Sequence, residues 1–258
     1  MIKHFKKNVY EVLSLIFIFS IFYSNFNVFG ITKEWGVSFQ NPGEAPIIDE
    51  PEGFIEKYDG YYIGDLNEKS VYLTFDAGYE NGYTVKILDI LKKHGVPATF
   101  FLVGTYIRNN PEIIKRMINE GHIIGNHTMN HPDMAKFSSI EAFSKELTRV
   151  EDVYKSVTGE EMKKLYRPPC GKYNELNLKF AKKLGYKTIF WSVAYEDYED
   201  KKQPSWGDAI SKLTSRVHNG ALILLHSTSK TNSLILDELI EKYKGMGFEF
   251  KSLEDLVK

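Results

Sequence analysis

The sequence predicts an α/β fold in which a parallel sheet is covered by helices. Three observations carry this. From Val71 onward, short apolar runs alternate with helical patterns, roughly seven runs in all. These runs are apolar almost throughout, as strands buried on both faces should be. Polar, reactive side chains fall just after the runs, at the strand ends that a closed parallel barrel gathers on one face.

Composition sets the outer limits. The 258 residues include 33 Lys+Arg and 34 Asp+Glu, a formal net charge of −1, which argues against bulk electrostatic binding to nucleic acid or anionic membrane. With 43% hydrophobic and 26% charged residues, neither a disordered chain nor a multi-span membrane protein fits. Cys170 is the single cysteine, so no internal disulfide and no cysteine-cluster zinc site can form. Stability must come from a packed core.

In residues 1–30, Lys3, Lys6 and Lys7 precede an apolar run from Val12 to Tyr23, the pattern of a secretory signal. As a helix that run covers about 18 Å of a hydrocarbon core roughly 30 Å thick. Extending it from Val9 to Phe29 gives enough length to span while carrying Glu11, so an uncleaved membrane anchor is the alternative. Either way the remainder is placed outside the cytoplasm, at the cell envelope or secreted. Residues 31–67 contain Asn41-Pro42-Gly43, Ala45-Pro46 and Glu50-Pro51, then Tyr58, Tyr61 and Tyr62. They read as a linker or extension that ends by docking and holds no chemistry.

The strands are expected at Val71 to Phe75, Ala98 to Val103, His122 to Gly125, Leu165 to Arg167, Lys187 to Val193, Ala221 to His226 and Phe248 to Phe250. Between them, Ile114, Met117 and Ile118 mark a helix ended by Gly121. Phe143, Leu147, Val150 and Tyr154 step along one face of another, with Ser138 and Glu141 offering a capping box. Leu236, Leu239, Ile240 and Tyr243 mark a third, ended near Gly245.

Asp76 closes the first strand, His127 and His131 follow the third, Arg167 the fourth, Ala194 to Tyr198 the fifth, and His226 closes the sixth. An x3 spacing on a helical turn puts two imidazoles on one side, where they can chelate a borderline metal such as zinc. Two ligands are an incomplete site, and the bland alternative is a pair of surface or core-edge histidines. Gly125-Asn126 and Pro132-Asp133 favour a shaped loop. Burial gives Asp76 a raised pKa suited to a general base, and a guanidinium fork from Arg167 would hold it ionised and aimed. A structural salt bridge across the barrel mouth would use the same two residues.

His226 emerges from an apolar strand into Ser227-Thr228-Ser229, as a general acid or as a core histidine satisfied by a carbonyl. Cys170 has no adjoining histidine, which argues against a thiol nucleophile. Trp191 and Tyr173 either stack on a sugar or fill core space. His94, His122 and His218 carry no functional signal; His94 and His218 lie at helix C-terminal turns, where an imidazolium suits the dipole.

At these residues the chain resembles the polysaccharide deacetylase family with the NodB-type domain. The family's Thr-Phe-Asp-Asp-Gly motif is matched by Thr74-Phe75-Asp76-Ala77-Gly78, and its His-x3-His motif by His127 and His131. Its Arg-Pro-Pro-x-Gly motif is matched by Arg167-Pro168-Pro169-Cys170-Gly171, and its Leu-x-His motif by Leu224-Leu225-His226. The match covers roughly Val71 to Lys258 and implies a distorted (β/α)7 barrel over 68–258. It also implies that Asp76 is the general base, Arg167 its orienter, His226 the acid, and His127 and His131 metal ligands. Beside these, Gly171, Tyr173, Trp191 and Asp197 are expected to bind substrate, and backbone amides near Gly171 to Tyr173 are the alternative to the metal for holding the oxyanion.

Two departures matter. Ala77 stands where the family has a second Asp, a metal ligand, so a divalent zinc or manganese ion is expected to bind weakly. Ala194 stands where an Asp usually orients the acid histidine, while Asp197 matches a later acidic position. Both departures, with the runs Thr74 to Thr84 and His226 to Asn232, resemble the delta-lactam-biosynthetic de-N-acetylases. That likeness implies a hydrolase of a non-peptide amide bond, acting on peptidoglycan glycan strands during spore formation. It would remove acetyl from N-acetylmuramic acid after an amidase has cleaved the stem peptide, leading to muramic δ-lactam. The alternatives are an N-acetylglucosamine or chitin-like deacetylase and, from another class, a wall-glycan-binding protein without catalysis. No nucleic-acid partner is expected, and a membrane only through the N-terminal segment.

Overall fold

The computed structural model describes residues 30–258, so the signal or anchor reading falls on residues outside it. Among the described residues no helix is long and apolar enough to cross a membrane. The strands are β1 (Lys33–Glu34), β2 (Val37–Ser38), β3 (Ile47–Ile48), β4 (Gly60–Tyr61), β5 (Ser70–Ala77), β6 (Thr99–Leu102), β7 (Ile123–Asn126), β8 (Leu165–Tyr166), β9 (Lys172–Tyr173), β10 (Lys187–Ile189), β11 (Ala221–His226) and β12 (Glu249–Phe250). The helices are α1 (Thr84–His94), α2 (Gly104–Asn109), α3 (Pro111–Asn119), α4 (Ile140–Thr158), α5 (Glu175–Lys183), α6 (Trp206–Arg216), α7 (Lys230–Gly245) and α8 (Leu253–Leu256).

One curled parallel sheet runs β11-β5-β6-β7-β8-β10-β4. Its two ends approach each other: Ile63, just past β4, bridges Ala221 of β11, and Gly64 N–H donates to Gly220 O at 2.7 Å, while Val193, past β10, bridges Ile223 of β11. The ring is therefore an incompletely bonded seven-strand barrel, the distorted α/β barrel expected from the sequence. Its seventh member differs from the expected one. The run at Phe248 to Phe250 yields only β12, which pairs with Ser70 and Val71 at the start of β5. The ring place is taken by β4, from the segment read as a linker, paired to Thr188 and Ile189 of β10. Gly60 is needed there, since a Cβ would lie 2.5 Å from Ile55 Cγ2 and 2.8 Å from Ile55 O.

Alternation along the strands divides the core. Val71, Leu73 and Phe75 of β5 pack outward beneath the helices, with Ile87, Leu91, Leu236 and Ile240. Tyr72 of β5, Phe101, Leu165, Ile189 and Leu222 fill the interior, with Leu253 from α8 against them. In α4, Phe143, Leu147, Val150 and Tyr154 are all buried. At about 2 kcal/mol per buried apolar side chain, this stripe outweighs a cap of about 1 kcal/mol in fixing the helix. The cap itself is one residue later than expected: Ser139 Oγ, not Ser138, accepts from Ala142 N–H at 3.2 Å. Ser139 holds it because its extended backbone directly precedes the first helical residue, Ile140.

Candidate active site

The C-terminal ends of β5, β7, β8, β10 and β11 deliver polar side chains to one mouth. On the base side, Arg167 is fully buried and its Nη1 donates to Asp76 Oδ1 at 2.7 Å. The guanidinium does not close on the carboxylate as a fork. Its Nε donates to Ile189 O at 3.1 Å and its Nη2 to Phe190 O at 3.2 Å, both at the end of β10. Asp76 Oδ2 is left facing His127 Nε2 at 3.7 Å. The pair is thus a buried salt bridge that still presents one carboxylate oxygen to the mouth.

The Arg167 guanidinium also lies 4.2 Å from the ring centre of Phe101 and 5.8 Å from that of Trp191. Phe101 can lie there because its register partner on β7 is Gly125, where a Cβ would meet the ring at 2.5 Å. Burial alone would raise the Asp76 pKa, but Arg167, then His127 and His226, outweigh it and hold the carboxyl below its ordinary range. The raised value expected from burial is corrected by the charges that surround it.

His127 and His131 sit on a loop after β7, not on a helical turn, with ring centres 4.9 Å apart. The loop is strained: Thr128 and His131 have φ of 69° and 57°, and a β-branched residue rarely adopts such a backbone. Buried Asn126 holds it, accepting from Thr128 N–H while donating to Leu147 O and the Tyr186 hydroxyl. Thr128 Oγ1 in turn accepts from His131 N–H, and Thr128 O from Gly104 N–H.

The His127 Nδ1 lies 2.9 Å from Arg167 O, which can only accept, so Nδ1 carries the proton and Nε2 keeps its lone pair. Burial lowers the His127 pKa to about 4 and lowers that of His131 as well. Two neutral imidazoles beside an ionised carboxylate suit a borderline divalent cation. Ala77 is buried in the apolar layer with Phe75 and Leu102 and offers no ligand.

On the acid side, Asp197 supplies the carboxylate that sequence matching sought at position 194. Its Oδ1 bonds His226 Nδ1 at 2.7 Å, and its Oδ2 accepts from His226 N–H at 2.7 Å. Ala194 presents only its carbonyl, to Arg216, because the chain turns beyond Val193 and carries position 197 under the imidazole. Burial opposes a charge on His226, yet Asp197 and then Asp76 overcome it, and the pKa lies above its ordinary value. Asn232, fully buried on α7, donates to Asp197 Oδ2 at 2.5 Å and to His226 O at 3.0 Å, and accepts from the Tyr195 hydroxyl. Its part was not foreseen; six residues past His226 and in a helix, it has no local sequence signal.

The residues matched to substrate binding separate. Trp191 lies beside Arg167, and Asp197 beneath His226. Tyr173 is buried against Trp35 and Phe190, its hydroxyl donating to Glu50 at 2.5 Å. The amides of Gly171 and Lys172 donate within their own loop, to Pro168 O and Pro169 O, so they do not face the mouth as oxyanion donors. Cys170 is exposed, with φ 54°.

Among the described residues, His94, Asp237 and Glu241 form the one trio whose ligand atoms all lie within 4.8 Å. It sits at the C-terminal end of α1, away from the strand mouth, and Lys93 already pairs with Asp237 at 2.7 Å. His122 is a neutral core-edge histidine with a pKa lowered to about 4 by burial. Burial lowers that of His218 too, so the imidazolium expected at that helix end gives way to a neutral ring bonded to Asn219 O.

Comparison with known proteins gives the site its setting. Residues 63–189 match the family model described as polysaccharide deacetylase. The peptidoglycan-N-acetylmuramic acid deacetylase PdaA of Bacillus subtilis is 47% identical over 228 residues, 86% of this chain and 85% of that protein. The solved structure of Bacillus subtilis PdaA, a family 4 carbohydrate esterase, superposes with a TM-score of 0.84 and 42% identity, covering 88% of this chain and 97% of that one. A peptidoglycan-N-acetylglucosamine deacetylase of Bacillus cereus is 36% identical over 210 residues, 80% of this chain and 74% of that protein. This chain belongs to the polysaccharide deacetylase family.

Proposed function

We propose that this chain removes the acetyl group from N-acetylmuramic acid residues of peptidoglycan whose stem peptide an amidase has already cleaved. The observation that carries the chemistry is the pairing, on adjacent strand ends, of an ionised Asp76 with a free Oδ2 and a His226 held by Asp197. The choice of sugar is supported by the 47% identity to PdaA and by the motif runs around Asp76 and His226.

Amide hydrolysis needs a deprotonated water and a protonated leaving amine. Asp76 Oδ2 takes the proton of the attacking water, while Arg167 holds Oδ1 and fixes the carboxylate. His226 bears a proton because Asp197 stabilises the imidazolium, and its free Nε2–H delivers that proton to the departing sugar nitrogen. Acetate and a free amine are the products. A divalent zinc or manganese ion would be held by His127 and His131, weakly for want of a ligand at Ala77, and supplies Lewis-acid polarisation of the acetyl carbonyl when bound.

Closure to muramic δ-lactam then joins the freed amine to the lactyl carboxyl of the same sugar with loss of water, an intramolecular step of a kind whose effective molarities reach about 10⁵ M or more. Such a substrate places the protein outside the cytoplasm, at the spore cortex.

The test is mass spectrometry of glycan digests after incubating the protein with peptidoglycan, intact or stripped of stem peptides by an amidase, with Asp76→Asn as control. Acetyl loss from muramic acid only in the stripped sample, absent in the control, supports the reading, and a further loss of water marks lactam closure. Acetyl loss from glucosamine would make the protein a general wall deacetylase. No loss from either sugar, with or without Zn²⁺ or Mn²⁺, would point to a glycan-binding protein.

A further inference from the structure

We propose that Trp35, in the extension that precedes the family-matched residues, is a positioning residue for this reaction, fixing the Arg167 guanidinium through Phe190 and Trp191. The inference rests on Asp76 acting as the base that Arg167 aims.

Successive carbonyls of a regular strand point to opposite sides. Ile189 O and Phe190 O nevertheless both accept from one guanidinium, so the backbone must depart from the pleat as it leaves β10. Residues of the extension hold it in that departure. Tyr61 O accepts from Phe190 N–H at 2.8 Å. The Trp35 ring stacks on Phe190 with centres 4.4 Å apart, and its Nε1–H donates to Trp191 O at 2.9 Å.

Trp35 N–H also donates to Gly171 O at 2.9 Å, and β1 pairs with β9, tying the extension to the loop that begins at Arg167. The fit is close: a Cβ on Gly171, whose φ is 64°, would lie 2.8 Å from Trp191 Cη2 and 3.0 Å from Trp35 Cβ. Trp35 is only 5% exposed, so its ring is committed to this packing and is not offered to a glycan. A buried indole whose N–H meets a main-chain carbonyl fixes both the position and the rotation of that peptide unit.

The test uses the full chain. Trp35→Phe keeps a ring over Phe190 and loses the Nε1–H donor, whereas Asn41→Ala, elsewhere in the extension, removes only an exposed side-chain hydrogen bond to Glu44. For Trp35→Phe, kcat should fall about tenfold with KM within about twofold, as misplacement of a catalytic group by a substitution remote from the chemistry does. Asn41→Ala should keep both constants. In an Arg167→Lys background, Trp35→Phe should cost less than about twofold more, because the two residues act through one interaction.

A readout independent of turnover is the Arg167 Nε–H in ¹⁵N NMR, which is buried and bonded to Ile189 O. It should shift and exchange faster with water in Trp35→Phe. Multiplying effects in the double variant, a raised KM at unchanged kcat, or an unmoved Nε–H signal would each overturn the proposal. Wild-type protein that releases no acetate from either sugar, while the Nε–H still responds to Trp35→Phe, would sink the proposed reaction and leave the coupling of Trp35 to Arg167 standing.

Discussion

His226 and Asp76 are register partners on adjacent parallel strands, β11 and β5, and their pKa values are displaced in opposite directions. Each charge favours the other: Asp76 helps raise His226, and His226 helps lower Asp76. The active form is therefore the carboxylate with the imidazolium, the division of roles that one base and one acid require.

The rate should follow a bell-shaped pH profile. Its acid limb falls below the ordinary carboxylate value of 3.8, and its alkaline limb lies above the ordinary histidine value of 6.5. Asp76→Asn should lower kcat by about 10²- to 10⁴-fold, the usual span for one general base. Because it also removes a charge that favours the imidazolium, the residual activity should lose its alkaline limb at lower pH. Turnover within a few fold of wild type would remove Asp76 from the base role.

Asp197→Asn tests the acid side. Burial opposes the charge on His226 most strongly, and Asp197 is the largest influence that opposes burial. With that carboxylate neutral, the imidazolium is favoured less and the alkaline limb moves to lower pH. Near neutral pH kcat should fall by about 10²-fold or more, while at lower pH part of the activity returns. A limb that stays in place would mean that another group gives up the proton.

The barrel and most of its mouth were legible in the sequence because burial on both faces leaves strands such as Ala221 to Leu225 apolar throughout, and because chemistry sits at their ends. Other features were not. β4 is two residues long, Gly60 and Tyr61, and owes its place to pairing with β10, not to any apolar run of its own. The spacing that made Ala194 look like a lost carboxylate assumed a fixed geometry after β10, whereas the actual turn brings Asp197 to His226. Buried Asn232 and Trp35 act through contacts 35 and 156 residues away, distances over which periodicity carries no information.

Gly125→Ala probes the floor under Arg167. The new methyl would lie 2.5 Å from Phe101 ring carbons, so the ring must move, and the guanidinium that rests on it moves too. Overpacking of this kind costs about 1–3 kcal/mol of stability, read as a lower melting temperature. At a temperature where the variant is still folded, kcat should fall about tenfold or more, since a shift of about 1 Å at the base orienter is enough. A folded variant with wild-type kcat would show that Arg167 tolerates displacement of Phe101.

The family's ligand pattern and this chain part company at Ala77, and cation removal tests what the histidine loop retains. His127 and His131 are neutral and adjacent, but Ala77 contributes nothing, so affinity rests on two imidazoles and on water or substrate oxygens. Desalted protein should keep less than one equivalent of metal, and chelation should lower turnover about tenfold or more. Added Zn²⁺ or Mn²⁺ should restore it. In His131→Ala that restoration should be lost, while the melting temperature stays close to wild type, because the exposed His131 side chain gives up little packing and alanine keeps the same φ of 57°. Equal turnover by chelated protein carrying no measurable metal would remove the cation from the reaction and leave oxyanion stabilisation to protein groups at the mouth.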